Sequence, residues 1–376
     1  MISIESMLAR LAEGKQRFER SIRLQAAVWA GERPETQPLL LTCGPSAQFE
    51  AEWPVYNYLE IHRDREKMFS NGLRDAVLCA LGGAEAVPSV RANMGCGVIP
   101  TMFGVEQMVF EDKMPWVRGH LGKGVLKEMK PGDLSFGGEM AMAFAHMDYA
   151  AQRLNGTGCL VFPLDLQGAF DTAHIVYGDD IFTDLYDDPD FVHHLLDLAC
   201  HSIERGMAEC LRHIPGSDET VAHYNSTAIP RSRGGVKISE DTSTLLSGPQ
   251  INEFVAPYLH RLLRYFGGGY VHYCGSNPHL YRAVMGQELV IGLNFGNPER
   301  HDMDAVLRHC AAVGKVYYGT IPQTEGEGLT QYFLRILAAG GHGGRRWVLP
   351  VYQCESGHQQ ATADAWREAC RLADAL

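Results

Sequence analysis

The sequence has no apolar run approaching the eighteen or so residues that a membrane-spanning helix requires, so a helical membrane protein is not expected. The first 32 residues mix charges throughout and lack the apolar core of a secretion signal. Basic residues are in deficit, 33 Lys and Arg against 45 Asp and Glu, for a net charge of −12. Nucleic-acid binders hold phosphates with Lys and Arg, so that class is argued against. No Gly-x-Gly-x-x-Gly follows a candidate strand and no Walker-type loop is present, which leaves nucleotide binding without a motif. Self-similarity at a fixed period is also missing, which argues against a solenoid or propeller.

What remains is an ordinary globular composition, 45% hydrophobic and 21% charged over 376 residues. That length suits one large barrel or two domains, with no long disordered segment. The expected location is the cytoplasm, where the ten cysteines are reduced thiols, available as ligands or core residues rather than disulfides.

Residues 1–36 read as a helical N-terminal segment lying outside the main domain, which spans 37–376. Short apolar runs bounded by Gly and Pro then recur as strands: Leu39–Cys43, Val87–Asn93, Cys159–Asp165, Gly235–Asp241, Gly267–Gly275, Leu289–Phe295, Lys315–Ile321 and Arg346–Tyr352. Helical segments separate them: Trp53–Leu81, Glu139–Leu154, Phe191–His213 opened by Asp188-Pro189, and a helix N-capped by Ser247 that runs to Tyr265. Eight such alternations predict an α/β fold, a (β/α)₈ TIM barrel, with an open doubly wound sheet as the other possibility.

One strand organises the chemistry. Along Gly269-Tyr270-Val271-His272-Tyr273-Cys274, residues two apart point the same way, so His272 and Cys274 share a face at the strand's end. Zinc takes neutral His nitrogen and Cys thiolate, and a catalytic zinc keeps three protein ligands and one open position. Cys354, at the end of the last strand, is the best candidate for the third ligand if both strands open on one mouth. Taken singly, each of these residues is more ordinarily a packed or hydrogen-bonded core group. Around Cys96, Gly95 and Gly97 would let the backbone approach a ligand, or simply make a tight turn. His193 and His194 are adjacent on a helix and cannot share a face, so they are not expected to be ligands.

Several stretches carry a resemblance, in order. They are Pro100–Gly104, Pro163–Phe170, Tyr186–Leu196, Ile238-Ser239-Glu240-Asp241 with Leu246-Ser247, Phe254–Tyr258, and His272-Tyr273-Cys274-Gly275. From about Val87 to Glu355 the chain resembles the uroporphyrinogen decarboxylase superfamily. That superfamily includes decarboxylases of tetrapyrrole synthesis and zinc-dependent methyltransferases that move methyl groups between corrinoids and thiols, on a (β/α)₈ barrel.

The decarboxylases carry an Arg-x-x-x-Arg motif after the first strand, to bind substrate carboxylates bidentately. Here that stretch is Thr42–Gln48, without arginine, and the family's aspartate after the second strand is replaced by the neighbourhood of Cys96. A mouth containing Asp165, Glu240 and Asp241 is, moreover, expected to repel a polycarboxylate. The resemblance is therefore closest to the cobalamin (corrinoid) methyltransferase branch, marked by a His-x-Cys at one strand and a Cys at the last.

That resemblance implies a zinc held by His272, Cys274 and Cys354; Asp241, at a barrel strand's C-terminal end and able to orient His272 or position substrate, and Asp165 are the candidate catalytic carboxylates. Cys96, Gly97, Gln167 and Asn294 are implied as substrate- or cofactor-binding groups. The implied cofactors are zinc and a corrinoid co-substrate carried on a partner protein, with a small-molecule methyl donor or acceptor, no nucleic acid and no membrane. An oligomer is possible, although likeness of fold transfers no interface. The alternatives are a metal-free decarboxylase-like lyase and a non-catalytic barrel protein.

Overall fold

The computed structural model describes residues 3–375. Eight parallel strands are present in the order in which the sequence places them: β1 (Leu40–Cys43), β2 (Ser89–Arg91), β3 (Leu160–Phe162), β4 (Lys237–Ser239), β5 (Gly269–Tyr273), β6 (Val290–Phe295), β7 (Val316–Gly319) and β8 (Val348–Cys354). β4, β5, β6, β7, β8 and β1 hydrogen-bond side by side in one parallel sheet. β2 pairs with β3, and a bridge from Gln167 to Ser239 joins the end of β3 to β4. Among the described residues no ladder joins β1 to β2. This is a mixed α/β fold whose strand order is compatible with the expected (β/α)₈ arrangement.

The strands are short and buried because helices cover their outer face while their inner face meets other strands, as in parallel sheets generally. Every residue of β6 is buried. Helix signals act where the sequence puts them: Asp188 caps Pro189–Arg212 and Pro189 occupies its first turn, while Ser247 and Gln250 form a capping box for Gly248–Phe254. The single helix expected up to Tyr265 is two, because the chain breaks at Val255 and restarts as Ala256–Phe266. A hairpin, Thr220–His223 with Thr227–Pro230, is absent from the expected elements, and His223 and Tyr224 at its turn end line the central cavity.

The N-terminal segment does not stay outside. It forms α1 (Ile4–Glu13) and α2 (Lys15–Trp29), and the end of α2 closes the N-terminal ends of the strands. Val28 and Trp29 cluster there with Leu40, Tyr270, Ile291, Val316, Tyr318 and Leu349. The Trp29 ring stacks on Tyr270 at 5.8 Å and meets Tyr318 edge-on at 6.0 Å. Gly292 makes room for it, since a Cβ on Gly292 would lie 2.7 Å from the indole. Gln25 ties α2 to the unforeseen hairpin, donating to the Glu85 carbonyl and accepting from Thr227 and Ala228. No helix among the described residues is long and apolar enough to cross a membrane.

Candidate metal centre and the cavity beneath it

At the C-terminal ends of β4 and β5 three side chains converge. Asp241, His272 and Cys274 place one donor atom each within 4.8 Å of one another, the arrangement a metal ion needs. His272 Nε2 lies 3.7 Å from Cys274 Sγ and 3.7 Å from Asp241 Oδ1. Asp241 is anchored twice: its Oδ1 accepts the Cys274 N–H at 2.6 Å, and its own N–H donates to Asp171 at 2.7 Å. Gly275, at φ 83°, ends the strand in the left-handed region that glycine tolerates. Gly296 leaves space for the thiol, because a Cβ there would sit 2.4 Å from Cys274 Sγ.

The tautomer of His272 follows from its neighbours. Asn294 donates its amide N–H to the Tyr318 carbonyl at 2.6 Å, so its oxygen faces His272 and must accept from Nδ1–H. Nε2 is thereby left with a lone pair aimed at Asp241 and Cys274. This is the outer-shell support a metal-bound histidine ordinarily has. Burial, and then Lys237, lower the His272 pKa, so the neutral ligand form is favoured. For a zinc ion held by this cluster, Asn294→Ala is expected to weaken binding by roughly 10–100-fold, through the lost tautomer control. Competition with a chromophoric chelator measures it, and an unchanged affinity would remove Asn294 from the account.

The N, S and O donor set suits zinc. Burial, reinforced by Asp241, pushes the Cys274 thiol up to about 11, so without a cation it stays protonated at neutral pH. A bound cation is what would draw off that proton.

Cys354, expected as the third ligand, is not in this group. In β8 the side chains alternate: Gln353 lines the cavity, while Cys354 is packed among the residues of the outer core. Its Sγ donates to the Thr42 carbonyl at 3.5 Å, and its neighbour is Cys43, its partner in the β1–β8 register. The third donor atom within reach of His272 and Cys274 is that of Asp241. Glu355 is exposed beyond it, near His358.

Below the donor cluster lies a cavity of about 1120 Å³. Asp165 lines it but is not a free carboxylate. It is ion-paired with Arg91 and, at 3.3 Å, with Lys237. Burial alone would raise its carboxyl; the two cations outweigh that and hold it down to about 2. Gln167 and Cys96 also line the cavity, and burial aided by Asp165 pushes the Cys96 thiol up to about 11. Gly97 is elsewhere, packed against Val117 and Gln107.

The expected acidic mouth is not there. Glu240 is buried behind Asp241, bonded by Ser243 and beside Asp171, with no ion-pair partner among the described residues. Burial first, and then repulsion, from Asp241 on Asp171 and from Asp171 on Glu240, raise both carboxyls, Asp171 to about 8. A carboxyl protonated in the folded protein but ionised in the unfolded chain costs stability as pH climbs above about 4. Glu240→Gln keeps the shape and removes the charge. Its urea midpoint is expected to fall less between pH 5 and pH 8 than the wild type's, and to exceed it at pH 8. Identical pH slopes would place the charge elsewhere.

Sequence reasoning missed Arg91, Lys237, His223 and Tyr224, all on the cavity wall. For the first two a signal existed: each is the one basic residue of its expected strand, Val87–Asn93 and Gly235–Asp241.

No protein-family model and no curated protein matches the chain. Among solved structures, a methyltransferase from Methanosarcina mazei is similar, with a TM-score of 0.61 and 14% identity, covering 93% of this chain and 98% of that one. At that identity the likeness establishes a shared fold, which in the Methanosarcina mazei protein carries a methyltransferase.

Proposed function

We propose that the protein is a zinc-dependent methyltransferase of the uroporphyrinogen decarboxylase superfamily, moving a methyl group between a corrinoid and a small thiol. The observation that carries this reading is the Asp241, His272 and Cys274 cluster, set over a large cavity in a fold shared with a methyltransferase. His272 and Cys274, the ligands expected from the sequence, are proposed here as ligands together with Asp241 in place of Cys354; the support is the proximity of their donor atoms.

Zinc bound there would hold a substrate thiol as its thiolate, the nucleophilic form, at neutral pH. The chain's own groups do the rest. Asn294 fixes His272 with Nε2 toward the donors, and the backbone N–H of Cys274 fixes Asp241. Phe162, Tyr270 and Phe295 give the cavity apolar walls that exclude water from the thiol. The corrinoid is proposed to arrive on a separate protein.

The test is transfer from methylcobalamin to 2-mercaptoethanol by zinc-loaded protein, followed by the loss of methylcobalamin absorbance. Zinc-dependent transfer that His272→Ala abolishes is expected. No transfer by fully zinc-loaded protein would overturn the reading.

A further inference from the structure

The strands β4 to β8 and β1 form one ladder, β2 pairs with β3, and a bridge links β3 to β4, so among the described residues β1 and β2 are the one neighbouring pair left unjoined. The N-terminal end of this break is filled. There the Glu85 N–H donates to the Leu39 carbonyl, and the Val87 N–H donates to the carbonyl of Ser226 in the hairpin turn. Further along, Thr42 and Cys43 on one side and Ser89, Arg91 and Asn93 on the other line the cavity.

The cavity does not stop at the strands. Arg91, Asp165, Lys237 and His272 line it from within, and so do Asn71, Asp75 and Leu78 of the helix Arg65–Leu81, which covers β1 and β2 from outside. A space that touches both faces of a sheet passes between strands, and the β1–β2 break is where it can. The helix packs tightly beside the passage and keeps it narrow, since a Cβ on Gly72 would lie 2.7 Å from Val90 Cγ1.

The outer end is wet. The Asp75 side chain is 77% exposed, yet enough of the chain surrounds it for burial to raise its carboxyl pKa, as in the wall of a water-filled groove. The passage is also polar. Besides the hydroxyls of Thr42 and Ser89, Arg74 Nε and Asn93 Oδ1 on its wall are buried without a protein partner, and such atoms are costly unless water or a polar solute meets them.

We infer that the break between β1 and β2 is a side portal, through which a small hydrophilic substrate reaches the donor cluster while a macromolecular partner covers the mouth. The portal stands on the cavity alone. Its use by a small thiol, with a corrinoid-carrying protein over the mouth, rests on the proposed function.

Two thiols allow a test without metal or methyl transfer, because Cys274 is exposed at the rim and Cys96 lines the interior. A polymer-bearing maleimide is first coupled to Cys274, to cover the mouth. Iodoacetamide is then added at pH 9, and alkylation of Cys96 is followed by peptide mass spectrometry. Cys96 should react at close to its rate in the uncoupled protein. In coupled Asp75→Trp the rate should fall about 10-fold or more, because the reagent must wait for a packed ring to move. Asp75→Ala, which removes the charge but leaves the space, should not slow it. Protection of Cys96 by the polymer alone in the wild type, or equal rates in coupled wild type and Asp75→Trp, would overturn the portal.

Transfer from saturating methylcobalamin to 2-mercaptoethanol then separates the portal from the proposed function. Asp75→Trp should lower kcat/KM for the thiol by a similar factor, with zinc affinity unchanged. Labelling of Cys96 through the portal in a protein that transfers no methyl group would leave the portal standing and remove the proposed function. Transfer undiminished in Asp75→Trp would show that thiols use the mouth, and would overturn the portal's role.

Discussion

Cys274→Ala is expected to lower zinc affinity by about 10²-fold or more, and to take zinc-dependent methyl transfer with it. Structural zinc binds small peptides with about 10–16 kcal/mol, so one of four ligands is worth roughly 3 kcal/mol, or about 10²-fold. His272 and Asp241 alone would leave the ion two protein donors. The variant should fold normally, because Cys274 is an exposed thiol at the cavity rim and its backbone bond to Asp241 does not need the side chain. The measurement is zinc affinity by chelator competition, alongside a thermal melt of the metal-free protein. Full zinc retention in a well-folded Cys274→Ala protein would separate the cluster from any metal.

The second large effect lies at the other end of the strands. Trp29→Ala is expected to destabilise the fold by about 3–5 kcal/mol, the usual range for a buried tryptophan. Trp29 is 1% exposed, and its ring backs Tyr270 and Tyr318, which form the cavity floor. Gly292 faces the indole without a side chain, so the truncation leaves a hole that its neighbour cannot fill. The urea midpoint should drop markedly while zinc affinity under folding conditions stays close to wild type. A change of under about 1 kcal/mol would mean that α2 covers the strands loosely.

That role for α2 was not legible in the sequence. Its residues read as an amphipathic helix whether they pack against the outside of a fold or seal its base. The strands were legible, because each is a brief apolar run punctuated by Gly or Pro, and such runs fit a parallel sheet buried on both faces. The hairpin at Thr220–Pro230 was not, since it interrupts the expected alternation of strand and helix.

In the site, His272 and Cys274 could be paired by the two-residue period of a strand. The same period, counted from Val351 in the inner cluster, places Gln353 on the cavity face and Cys354 away from it. Reading Cys354 as a ligand used its position along the strand but not its face. Asp241 was visible as a carboxylate at a strand's end, but its approach to His272 depends on how β4 and β5 pair, which one strand's sequence does not specify. The charge balance of the cavity was hidden for the same reason. Arg91 and Lys237 meet Asp165 across three strands, and Glu240 turns inward while Asp241, beside it, turns to the mouth.

The central claim is the identity of the donor set, and X-ray absorption at the zinc edge of the zinc-loaded wild-type protein tests it most directly. The account predicts one sulfur at about 2.3 Å, from Cys274, with the remaining scatterers being nitrogen and oxygen at about 2.0–2.2 Å. Two sulfurs, one of them lost in Cys354→Ala, would contradict it and return Cys354 to the metal.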